Sequence, residues 1–126
     1  CMLRRLSVHA AGLKEPAEHY VWENLSASKF EDGAARGFSK ITPALREYAI
    51  AGTMHMDHLA GLADSPRYQS TIRRNAAQIA EAMDLTNEDA EMKLNSLLRR
   101  HRDEWQAFVK SLGPDSFIRQ WTVNIS

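Results

Sequence analysis

On a helix, Glu91, Met92, Asn95, Ser96, Arg99 and Arg102 share one side, with Arg100 beside them. These types suit recognition chemistry. An asparagine amide at 95 can pair with adenine, and arginines at 99 or 102 with guanine or a phosphate. The same helix opens with Asn87, Glu88, Asp89 and Glu91, however, and carboxylates meet phosphates badly. A plainer reading stays open. Arg99, Arg100 and Arg102 can be solvated residues neutralised by Asp103 and Glu104, while Glu88, Asp89 and Glu91 favour the dipole of a first helical turn.

The other chemical groupings are sparser. His55 and His58 share a helix face at three-residue spacing, with Asp57 between them, but no second pair of ligands completes a metal site. Surface or interface histidines are the simpler reading. His101 falls within an apolar stripe, as a packed and hydrogen-bonded core residue would. No glycine-rich phosphate loop, nucleophile elbow or carboxylate pair in a plausible cleft occurs. The expectation is therefore a non-catalytic protein with no cofactor and no metal.

The elements that must position these residues are well punctuated after residue 40. Thr42-Pro43 starts a helix over about 43 to 62, its apolar stripe formed by Leu45, Tyr48, Gly52, Met56, Leu59 and Ala63. Ser65-Pro66 repeats the signal, and Tyr68, Ile72, Ala76, Ile79, Ala80 and Met83 form a second stripe that should stop at Asp84. Thr86 caps a third helix, in which Ala90, Leu94, Leu97, Leu98, His101, Trp105, Phe108 and Leu112 recur until Gly113-Pro114 breaks it. Between Ile79 and Arg100 the pattern is that of a helix-turn-helix. Ile79, Met83 and Leu85 line its inner side, Ala80 is small where the second helix crosses, and Ala90, Leu94 and Leu97 face back.

The ends are less determined. Met2 to His9 reads as a short strand or irregular arm, and Pro16 followed by Tyr20, Val21 and Leu25 as a helix to about Phe30. Gly33 and Gly37 mark a loop, with a boundary near residue 40. Residues 1–41 are then either an N-terminal extension with its own partner or a cap on the three-helix unit. At the other end, Phe117, Trp121, Val123 and Ile125 alternate as a strand would, but Phe117 and Trp121 also pair across a helical turn. In both cases Trp121 should pack back onto the bundle.

Composition narrows the setting. The 126 residues carry 16 Lys/Arg against 16 Asp/Glu, so global charge favours no nucleic acid, acidic partner or anionic membrane. A lone Cys1 excludes an intrachain disulfide framework and suits cytosol or nucleus. Cys1 before Met2 reads as an added residue rather than a lipidated terminus. No stretch approaches the roughly 18 apolar residues of a spanning helix, and no signal-peptide pattern opens the chain.

Four blocks in order carry a family resemblance: Leu62 to Tyr68, Arg74 to Ala80, Lys93 to Trp105, and Phe117 to Trp121. This run resembles the MADF domain, a Myb/SANT-like three-helix module, over roughly residues 45 to 126. Ala63, Ala77 and Leu94 stand where the family commonly has tryptophans, so the likeness is to a divergent member. The resemblance implies an all-α fold, with residues 42–126 as the domain, and nuclear work in transcription regulation or chromatin. Some members read DNA and others contact proteins. From Leu45 onward ten Lys/Arg face eleven Asp/Glu, whereas groove readers concentrate positive charge. An acidic first turn followed by an arginine row suits a protein partner, such as a basic tail. Double-stranded DNA is the alternative, and a helical subunit of an unrelated complex a third.

Overall fold

The computed structural model describes residues 1–38 and 40–125. Among these residues five α-helices run in the order α1 (Met2–Ala10), α2 (Pro43–Gly61), α3 (Gln69–Met83), α4 (Asn87–Ser111) and α5 (Phe117–Gln120). Among the described residues there is no named strand, only an isolated antiparallel bridge between Trp22 and Ala34. The chain is all-α.

Local chemistry sets the helix ends after residue 40. Thr42 Oγ1 accepts the Leu45 N–H at 3.2 Å, with Pro43 in the first turn, where its missing donor costs nothing. Thr86 caps α4 in the same way through the Asp89 N–H at 3.1 Å. Asp84 ends α3 in the left-handed conformation, φ 53°, and the Leu85 N–H returns to the Ala80 carbonyl at 2.9 Å. Aspartate tolerates this geometry better than most residues with a side chain.

The amino-terminal third differs from the sequence reading. Met2–Ala10 is a helix rather than a strand or arm, and Pro16 introduces only the single 3-10 turn Ala17–His19. The expected helix to Phe30 does not form. Residues 22–24 instead run antiparallel to 33–35, with the Asn24 N–H on the Gly33 carbonyl at 3.1 Å. Gly33 is required here, because a Cβ would lie 2.5 Å from the Asn24 carbonyl oxygen.

Tertiary packing explains that departure. Leu6, Leu25 and Phe30 are buried in one cluster with Ala60, Trp105, Phe108, Val109, Phe117 and Ile118. The Phe117 N–H donates to the Ala27 carbonyl at 2.8 Å, and Gln120 Nε2 to that of Ser28 at 3.0 Å. Trp22 stacks on Phe30 with centroids 4.4 Å apart, and its Nε1–H reaches the Phe30 carbonyl at 2.7 Å. Non-local burial of these aromatics thus outweighs local helix propensity. At the other end Phe117–Gln120 is helical, and Trp121 packs on this core as expected. Val123 is 87% exposed, so there is no buried strand face.

The buried face of α2 is rotated by about one residue from the predicted stripe. Thr53, Asp57 and Ala60 are its buried positions, while Leu45 and Tyr48 are exposed. Thr53 Oγ1 has no hydrogen-bond partner among the described residues, and a buried unpaired hydroxyl is destabilising. Thr53→Val should therefore raise the unfolding free energy by about 1 kcal/mol, read as a higher urea midpoint at unchanged slope.

Candidate binding face on α4

The position of α4 depends on small residues. Ala76 and Ala80 of α3 and Ala90 of α4 form a second buried cluster, with Ile79, Leu85 and Leu94 packed around it. Alanines at a crossing allow close backbone approach. Ala80 therefore sits where the sequence placed it, but two neighbours do not: Met83 is 64% exposed and Leu97 63% exposed. Met83 ends α3 beyond the alanine contact, and Leu97 lies at the edge of the α4 stripe, outside both core clusters.

Glu88, Glu91, Met92, Asn95, Ser96 and Arg99 line a shallow groove on the outer side of α4. Six of the nine residues singled out from the sequence are thus contiguous. Met92 is 70% exposed, Ser96 and Arg99 are exposed, and Asn95 is half-buried. Asn95 Oδ1 has no protein hydrogen-bond partner among the described residues. Glu88 and Asp89 are exposed at the leading end, and Glu91 reaches back to Arg73 of α3 at 3.4 Å.

The arginine row is divided by its partners. Arg102 is only partly exposed, and its guanidinium bonds Asp64, beyond the end of α2, as well as Asp103. Hydrogen bonding to Asp64 and then to Asp103 raises its pKa above the ordinary guanidinium value. It braces α4 against the α2–α3 connection instead of facing a groove, which corrects the sequence reading. Arg100 lies outside the groove, its Nε–H donating to Glu104 at 2.9 Å one turn on. Arg99 alone of the three has no carboxylate partner among the described residues.

The histidine grouping separates in space. Asp57 is 2% exposed and points inward, whereas His55 and His58 are exposed. Among the described residues no group of three His, Cys, Asp or Glu could hold a metal ion. Asp57 Oδ1 accepts the Trp105 Nε1–H at 3.1 Å. Its Oδ2 accepts the backbone N–H groups of Val123 at 2.8 Å and Asn124 at 3.2 Å, and Asn124 Nδ2 at 3.2 Å. This carboxylate ties α2, α4 and the chain's last described residues together. His101 is half-buried, and its Nε2 lies 2.9 Å from the Met56 carbonyl. A carbonyl only accepts, so that nitrogen carries the proton.

The resulting face offers carboxylates at one end, a thioether and an amide in the middle, and one unpaired guanidinium at the other. It can make directional polar contacts around a small apolar centre. Among the described residues no helix is long and apolar enough to cross a membrane. Comparison with known proteins finds no matching family model and no significantly similar curated protein or solved structure.

Proposed function

We propose that this chain is a non-catalytic, MADF-like binding module of a nuclear transcription-regulatory or chromatin protein, and that it contacts a protein partner through the outer face of α4. The observation that carries this reading is the charge left available on that face. Glu88 and Asp89 are exposed, while Arg100 and Arg102 are committed to Glu104 and to Asp64 with Asp103. A duplex would meet acid first and find one unpaired arginine. A basic segment would find complementary carboxylates, with Met92 as an apolar contact. The three-residue joint at Asp84–Thr86 and the alanine crossing agree with a Myb/SANT-like arrangement, which presents its last long helix.

A DNA-reading alternative draws on Arg99 and on the unpartnered amide oxygen of Asn95. Anisotropy titrations of labelled random duplex and of a labelled lysine- and arginine-rich peptide distinguish the two. The expected result is duplex binding weaker than about 100 µM at physiological salt, with tighter peptide binding that Glu88→Gln with Asp89→Asn reduces at least tenfold. Micromolar duplex binding that falls steeply with salt, and is weakened by Arg99→Ala, would transfer the assignment to DNA.

A further inference from the structure

A second concavity lies on another part of the molecule, between the amino-terminal segment and α2. It is a cleft of about 440 Å³, within the roughly 300–1,000 Å³ typical of small-molecule sites. Exposed Val21 and Leu45 and half-buried Trp22 contribute its apolar surface above buried Leu25 and Phe30, with Arg5 on the amino-terminal side and Gly52 of α2 on the other. Close packing normally eliminates such a space. Here the helix wall bears a glycine, and a Cβ built on Gly52 would meet nothing within 4 Å. Glycine inside a helix costs about 0.5–1 kcal/mol relative to alanine, and at this position its effect is to keep the cleft open.

Among the polar groups lining the cleft, Arg5 is a cation without a counter-ion among the described residues. Arg5 is half-buried, and its guanidinium donates to the Trp22 carbonyl and to that of Glu23 at 3.2 Å while lying 4.5 Å from the Tyr20 ring centroid. No carboxylate lies within ion-pair distance of it among the described residues. Nearby Glu15 is engaged by Arg4 and by the Tyr20 hydroxyl. Both protein acceptors of Arg5 are thus neutral, although a partly desolvated charge ordinarily has a partner of opposite sign. Guanidinium has five N–H donors, so capacity remains for an anion.

We infer that this cleft binds a small amphiphilic carboxylate, its apolar body on Val21, Trp22 and Leu45 and its anionic head on Arg5. Charge complementarity selects the head group, and the apolar walls select the body. The site is independent of the α4 face.

Tryptophan fluorescence of the full chain, titrated with decanoate and in parallel with uncharged decanol, tests this assignment through Trp22 in the wall. Decanoate should bind saturably with a dissociation constant on the order of 10–100 µM, and decanol at least tenfold more weakly. Arg5→Gln should remove that preference. Because Arg5 also holds two backbone carbonyls, Gly52→Leu supplies the second variant: it fills the open side, should unfold as cooperatively as the parent, and should abolish binding of both probes. Absence of saturable decanoate binding, equal affinity for decanol, or undiminished binding by a folded Gly52→Leu variant would each overturn the inference.

Discussion

Replacing Asp57 with alanine is expected to lower the unfolding free energy by about 3–5 kcal/mol, among the largest effects of any single substitution in this chain. The side chain is 2% exposed and accepts four N–H groups, with no cation among its partners. Hydrogen bonds to a charged group contribute about 1.5–3 kcal/mol each. The sum is discounted because the Val123 and Asn124 donors are only part-buried and can return to water. The indole N–H of fully buried Trp105 cannot. Asp57→Asn should cost less, about 1–3 kcal/mol: one oxygen can still serve the three donors on the Oδ2 side, but its amide then faces the Trp105 N–H donor to donor. Urea unfolding of Asp57→Ala, Asp57→Asn, Trp105→Phe and the Asp57→Asn/Trp105→Phe pair checks both. A loss under 1 kcal/mol for Asp57→Ala would show that water or repacking replaces this hub.

Asp57 also shows what kind of information the sequence carries. The helices of the second half were legible because their signals are local: Thr42-Pro43, Ser65-Pro66, Thr86 and Gly113-Pro114 lie at or within a few residues of the ends they set. The rotation of α2 was less legible. Gly52, Met56, Leu59 and Ala63 look like a stripe, but the face that buries best includes Thr53 and Asp57, and the donors to Asp57 come from residues 48 and 66 positions away. The spacing of Thr53, Asp57 and Ala60 was the available signal, and hydrophobicity alone gives it no weight. Arg102 follows the same logic. Its outward register on α4 was readable, whereas its partner Asp64 is 38 residues back and reached only through the fold. The groove residues Glu88, Glu91, Met92, Asn95, Ser96 and Arg99 were recoverable because one helix supplies them all.

Deleting residues 1–41 is expected to leave a collapsed chain without cooperative unfolding. An autonomous three-helix module would instead survive the deletion. The removed segment supplies Leu6, Leu25 and Phe30 to the same buried cluster as Trp105, Phe108, Phe117 and Ile118. Burying such side chains contributes about 1.5–3 kcal/mol each, so these three alone account for a large part of the roughly 5–15 kcal/mol typical of a whole domain. The loss goes further, because the uncovered faces of Phe117 and Trp121 would meet water and the Phe117 N–H would lose the Ala27 carbonyl. The α3–α4 pair does not compensate, since its own cluster is built on Ala76, Ala80 and Ala90 and buries little area per residue. Residues 42–126 should therefore retain far-ultraviolet helicity, bind a hydrophobic dye and show a broad thermal transition. A sharp transition with dispersed amide resonances would instead make the amino-terminal segment an appendage. The α4 face would then be positioned by three helices alone, and the cleft beside Gly52 would vanish without consequence for the fold.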